Sequence, residues 1–161
     1  MFTVYLGLGS NLGDRKEMLN RAINLIAEEI GPIKQESAIY ETAPWGNTEQ
    51  PAFLNQVVKI VTKLLPLEVL AQIDQIEKQL NRRKQQHWGT RTIDIDILFY
   101  ENEIVNLDNL IIPHKYIAER NFVLVPLNEI ASTLIHPVLK ETINSLYQKC
   151  SDNLPISKYK N

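Results

Sequence analysis

One cysteine, Cys150, stands in a chain of 161 residues. An internal disulfide is thereby excluded, and so is any zinc site built on several thiolates. Such usage suits a reducing compartment, and a cytoplasmic location is the expectation. Long apolar runs are missing too, since nothing approaches the ~18 residues that a membrane span needs. The start, MFTVYLGLGSNLGDR, has no basic stretch leading into a sustained apolar core, so an exported or membrane-bound protein is not expected. Neither sign of charge is in excess, with 17 basic against 19 acidic residues, which argues against a nucleic-acid partner or a membrane surface. Any positive site must then be a local cluster. Repeats and low-complexity tracts are absent. The glycines of GLGSNLGD miss the spacing of a dinucleotide fingerprint, and no Lys-Ser or Lys-Thr follows to make a phosphate-binding loop. They read instead as a sharp strand-to-helix turn whose backbone Ser10 and Asn11 would bond.

What is present is enough apolar material for a core. At 44% hydrophobic, a chain of this length buries about two-thirds of the surface its unfolded form exposes, and one domain over residues 1–161 is expected. Thr3 to Ser10 reads as a buried strand. A helix follows, opened by Asp14 with Glu17, striped by Leu19, Ala22, Ile23, Ile26 and Ile30, and stopped at Gly31-Pro32. Ile33 to Ala43 and Phe53 to Leu65 read as two strands joined by the turn-rich PWGNTEQP. Pro66 starts a second helix carrying Leu70, Ile73, Ile76 and Leu80. Beyond a basic stretch, NRRKQQHW, comes the strand TIDIDILFY, then a short hairpin in NEIVNLDNLIIPH. NFVLVPLNEIA reads as a short strand with a turn of helix, HPVLKETINSLYQKC as a closing helix, and SDNLPISKYKN as a loose tail. The order β-α-β-β-α-β with a C-terminal extension describes a ferredoxin-like α+β fold. Its antiparallel sheet has both helices on one face and leaves the other for loops or a ligand.

The strand GTRTIDIDILFY carries the strongest chemical signal. Alternation sends Ile93, Ile95 and Ile97 to one face and Thr92, Asp94 and Asp96 to the other. Two carboxylates at i and i+2 stand roughly 6 to 7 Å apart at the backbone. Unaided they repel, whereas hard divalent cations convert them into ligands, and magnesium typically takes one or two carboxylates together with substrate phosphates. A solvated strand face whose charges discourage edge pairing is the competing explanation. Nearby cations favour a polyphosphate: Arg82, Arg83 and Lys84 upstream, Arg91 three positions before Asp94, and His114 and Arg120 beyond. In the strand from Phe53, a ring and the Asn55 amide share a face, which suits a flat heteroaromatic with a polar edge, and Phe122 would close its other side.

HWGTRTIDIDIL, together with GSNLGD near the start, TAPWG before FLNQVV, and PH followed by ERNFVLVPL, resembles the 6-hydroxymethyl-7,8-dihydropterin pyrophosphokinases of folate biosynthesis. The likeness runs in order over most of the chain. It implies a ferredoxin-like fold and transfer of pyrophosphate from ATP to the hydroxymethyl oxygen of the pterin, releasing AMP. Asp94 and Asp96 would then bind two Mg2+ ions bridging the ATP phosphates, and Arg82, Arg91, His114 and Arg120 would contact the triphosphate or its transition state. Glu77 corresponds to a position near the ribose, Trp88 to the loop closing over the nucleotide, and Ile97 to the adenine pocket. Asn55 would bond the pterin edge beside Thr42, Pro44 and Gly46, and Phe53 and Phe122 would sandwich the ring. Phe53 stands where tyrosine is familiar, Thr90 where proline or a small residue is, and Lys115 where proline or tyrosine follows the histidine. A monomer is expected, with a dimer left open. The other class such a fold allows is a small-ligand or nucleotide-binding regulatory module.

Overall fold

The computed structural model describes residues 1–43, 49–80 and 92–160. Strand β1 (Phe2–Ser10) leads to helix α1 (Arg15–Glu29). Asp14 caps the helix by accepting the Glu17 N–H at 3.1 Å. The turn before it uses Gly13, whose φ of 71° lies where a side chain is disfavoured. Gly7 and Gly9 belong to the strand itself, which corrects the reading of all three glycines as one turn. Asn11 likewise bonds elsewhere, donating to the Gln50 side chain at 2.8 Å and the Pro51 carbonyl at 3.0 Å.

The segment read as one strand from Ile33 to Ala43 is two, β2 (Ile33–Glu36) and β3 (Tyr40–Thr42). Both pair with the long strand β4 (Phe53–Thr62). Ser37 makes the break: its backbone N–H donates to the Val57 carbonyl while its hydroxyl accepts the Val57 N–H at 3.0 Å. Helix α2 (Pro66–Gln79) has proline in its first turn, and the Glu68 carboxylate accepts the Leu65 N–H at 2.8 Å. Strand β5 (Asp94–Tyr100) returns to the sheet as an edge strand beside β1, and the hairpin of β6 (Val105–Leu107) and β7 (Leu110–Ile112) forms as expected.

The large sheet runs β5-β1-β4-β3 with antiparallel neighbours, β2 also lying along β4. That is the split βαβ order. Helices α1 and α2 cover one face, burying Val4, Leu6, Leu19, Ile26, Leu54, Ile60, Ile73 and Ile76. The other face is partly covered as well. A 3-10 turn (Ile117–Glu119) and helices α3 (Asn121–Ala131) and α4 (Ile143–Lys149) pack there on Tyr5, Val57, Leu98 and Phe99.

Three expectations for the C-terminal part are corrected. Asn121–Ala131 is helix throughout despite Pro126 and its valines, because packing on the sheet outweighs local propensity. The final helix begins at Ile143, capped by the Thr142 hydroxyl, so Pro137 lies outside it. The tail is not loose: Ile156–Lys158 forms β8 against β3. Asp152 holds the start of α3, its carboxylate accepting the Asn121 N–H at 2.9 Å.

Candidate active site

A cavity of about 520 Å³ opens over the second face between α3 and the β5 edge, where Leu70, Ile73, Asp74 and Glu77 of α2 complete its wall. Register explains its floor. Gly9 pairs with Asp94 on one side and with Asn55 on the other, and Gly7 pairs with Asp96 and Val57. Residues paired across antiparallel strands share a face, so Asp94, Gly9 and Asn55 form one row and Asp96, Gly7 and Val57 the next. All six line the cavity. Two inter-strand steps of ~4.8 Å separate the Asp94 and Asn55 backbones by roughly 10 Å, giving the cavity two chemically different ends.

The glycines keep the floor low. A Cβ on Gly9 would lie 2.9 Å from the Asn55 Oδ1 and 3.5 Å from the Phe53 ring. At this end the Asn55 amide donates to the Thr42 hydroxyl at 2.7 Å, a buried contact. Thr42 pairs with Phe53, so aromatic ring, amide and hydroxyl are all fixed by β3 and β4. Phe122, in the first turn of α3, faces the same cavity.

At the acidic end, β5 changes its alternation. The register shift beside Tyr5 leaves Leu98 unpaired between Ile97, opposite Leu6, and Phe99, opposite Tyr5, as a β-bulge does. Asp94 and Asp96 face the cavity by the regular alternation that precedes the bulge, and the bulge turns both Leu98 and Phe99 to that side. The bulge has a further use: the Leu98 carbonyl accepts the His114 N–H at 3.1 Å. That bond brings His114 Nε2 within 3.9 Å of Asp96 Oδ2.

Burial first, and the Arg120 charge second, push the His114 pKa down from 6.5 to about 4. His114 is thus neutral at pH 7. Its Nδ1 accepts the Tyr116 N–H at 3.3 Å, so the ring proton sits on Nε2 and points toward the carboxylates. Arg120, the residue preceding α3, is 6% exposed. Burial lowers its pKa while Asp96 raises it, and an arginine remains charged under such opposing influences. Its guanidinium carbon lies 4.4 Å from the centre of the Tyr116 ring and 5.3 Å from that of Phe122. Glu77, buried on α2, accepts the Ile95 N–H at 2.9 Å, which ties the helix to the aspartate strand along the cavity wall.

Of the sequence-expected residues, Thr42, Phe53, Asn55, Glu77, Asp94, Asp96, His114, Arg120 and Phe122 line this one cavity. Ile97 does not. It is 4% exposed in the core beneath the sheet, and Ile95 and Leu98 line the cavity in its place. Pro44, Gly46, Arg82, Trp88 and Arg91 lie outside the described residues, together with Arg83, Lys84 and Thr90. Sequence reasoning missed Gly7, Gly9, Gln50 and Tyr116. Gly-x-Gly with the same two-residue step as Asp-x-Asp was the available signal for the first pair, but only strand pairing shows that the two steps coincide.

Fold and cavity together define an α+β protein of ferredoxin-like type whose cavity has a carboxylate and guanidinium end and an aromatic and amide end. The sequence pattern of the 7,8-dihydro-6-hydroxymethylpterin-pyrophosphokinase family matches residues 5–132. The chain is 43% identical to the 2-amino-4-hydroxy-6-hydroxymethyldihydropteridine pyrophosphokinase of Aquifex aeolicus, over 89% of each chain. It is 40% identical to the enzyme of that name from Haemophilus influenzae, over 95% of this chain and 96% of the relative. In three dimensions it matches a Plasmodium falciparum HPPK-DHPS triple mutant with a TM-score of 0.78 at 20% identity. That match covers 92% of this chain and 43% of the solved one, so this chain spans less than half its length. The chain belongs to the 7,8-dihydro-6-hydroxymethylpterin-pyrophosphokinase family.

Proposed function

We propose that the protein transfers the pyrophosphoryl group of ATP to the hydroxymethyl oxygen of 6-hydroxymethyl-7,8-dihydropterin, a step of folate biosynthesis. The alcohol oxygen bonds to the β-phosphorus, the bond from that phosphorus to the α–β bridging oxygen breaks, AMP leaves, and the alcohol proton is released. The observation that carries this reading is the shared row of Asp94, Gly9 and Asn55 on one sheet face. It sets a phosphate-handling end roughly 10 Å from a pterin-sized end.

At the pterin end, Asn55 donates to and accepts from the heterocycle edge beside Thr42, while Phe53 and Phe122 bind its faces. Pro44 and Gly46 are assigned to the same ring. At the other end Arg120 and His114 meet the triphosphate, the first as a cation and the second as a neutral N–H donor. Arg82 and Arg91 join them, Glu77 and Trp88 serve the nucleoside, and Ile97 supports its pocket from the core. Two carboxylate oxygen donors facing one cavity fit hard divalent cations. Among the described residues no group of three or more His, Cys, Asp or Glu is placed to hold a metal, so phosphates and water must complete the shell. Asp94 and Asp96 would hold two Mg2+ ions, which supply charge neutralisation and Lewis acidity at the transferred group. Glu77 is engaged by the Ile95 N–H and His114 Nδ1 by the Tyr116 N–H, and positioning with electrostatic stabilisation carries the step.

We infer a cytoplasmic protein acting on small molecules, a monomer with a dimer left open. No described helix is long and apolar enough to cross a membrane. Incubation with ATP, Mg2+ and the reduced hydroxymethylpterin tests the reaction. AMP and pterin diphosphate in equal amounts are expected. ADP would indicate an ordinary kinase, and no pterin-dependent turnover would leave a binding module.

A further inference from the structure

We propose that Tyr116 is a positioning residue for the phosphate-handling end, its ring holding the Arg120 guanidinium and its backbone N–H fixing which His114 nitrogen faces Asp96. The proposal rests on the pyrophosphokinase reading above. Tyr116 is half-buried at the cavity wall. Its ring centre is 4.4 Å from the Arg120 guanidinium carbon and 4.8 Å from the Lys115 ammonium nitrogen. One ring therefore lies against two cations that line the cavity with Asp94 and Asp96. Arg120 is 6% exposed, and the negative face of an aromatic ring offsets part of the cost of holding its charge there.

The geometry also suits anion binding. A guanidinium engages rings through its planar faces, and its N–H donors run along the edge, where they match phosphate oxygens. Contact with the ring at 4.4 Å limits the orientations open to the Arg120 guanidinium. On the other side of the same residue, the Tyr116 N–H donates to His114 Nδ1 at 3.3 Å. That leaves Nε2 as the proton-bearing nitrogen, 3.9 Å from Asp96 Oδ2. Lys115 and Arg120 are thereby gathered about the Tyr116 ring and His114 about its backbone N–H, and neither group need itself touch substrate.

The test compares Tyr116→Phe, Tyr116→Leu, Arg120→Met and the double variant Tyr116→Leu/Arg120→Met in the full chain. Tyr116→Phe keeps the ring and should retain kcat within about twofold. Tyr116→Leu should lower kcat roughly tenfold or more with the pterin KM little changed, and should add little to Arg120→Met in the double variant, because residues acting as a unit are non-additive. Full activity of Tyr116→Leu would overturn the proposal. So would additive losses, or a loss of activity matched by a thermal midpoint lowered by many degrees, which would make the role structural. If the wild type released ADP in place of AMP, the pyrophosphokinase reading would fall, while the ratios among these variants would still decide the role of Tyr116.

Discussion

At the scale of single residues, exposure separates chemistry from stability. The Asp96 side chain is 42% exposed, and removing it vacates no core. Asp96→Ala should abolish AMP formation while leaving the free energy of urea unfolding within about 0.5 kcal/mol of wild type, as surface substitutions generally do. A variant with substantial turnover would contradict its assignment as a metal ligand. Gly9 makes the opposite case, a residue that matters through what it lacks. A methyl there meets Asn55 Oδ1 at 2.9 Å and must displace the amide. Gly9→Ala should therefore raise the pterin KM about tenfold, the equivalent of ~1.4 kcal/mol, and leave the ATP KM nearly unchanged. Steady-state kinetics with each substrate varied in turn would show this, and an unchanged pterin KM would remove Asn55 from the pterin edge.

At the scale of elements, the site depends on how segments end or break. The bulge at Leu98 offers its carbonyl to the His114 N–H, so an irregularity in β5 places a residue of the following loop. The break at Ser37 lets one stretch of chain pair twice with β4, first through Ile33–Glu36 and then through Tyr40–Thr42. Thr42 thereby reaches Asn55. Helix α3 starts at the cavity with Phe122 in its first turn, and its leading N–H is satisfied by Asp152 from the C-terminal segment. Asp152→Ala should cost about 1 kcal/mol of stability, the usual effect of losing a carboxylate cap. Hydrogen exchange should localise the loss to residues 121–124, and uniform exchange along α3 would deny the cap this role. The same C-terminal segment adds β8 to β3, behind the pterin end.

For the whole molecule, the sheet has two unlike faces. One is closed by α1 and α2 over an all-apolar cluster. The other divides its area between the α3 and α4 packing and a cavity with buried polar groups. That division has a pH signature. His114 holds a pKa of about 4 in the folded protein, against 6.5 for an ordinary histidine. The unfolded chain thus binds a proton that the folded chain refuses. The His114 contribution to stability is complete above pH 6.5, declines as pH falls from 6.5 to about 4, and changes no further below. Its ceiling is roughly 3 kcal/mol at 1.36 kcal/mol per pK unit. Urea unfolding between pH 7 and 4 should show a shallower decline in His114→Gln than in wild type, and identical slopes would refute the shift.

Much of this design is local and so was written in the sequence. Asp14 caps one helix, Pro66 opens the other, and the alternation of Ile93, Ile95 and Ile97 with Asp94 and Asp96 orients a strand, all through neighbours a few residues away. Motif resemblance added the family and its reaction. What only tertiary structure decided came from long-range pairing. Local patterns carry no register, so nothing in GLGSNLGD disclosed that Gly9 lies between Asp94 and Asn55 and Gly7 between Asp96 and Val57. Propensity favoured a strand at NFVLVPLNEIA until burial against Phe99 and Leu98 made it a helix. The tail looked loose because its partners, β3 and the start of α3, lie more than thirty residues away in the chain.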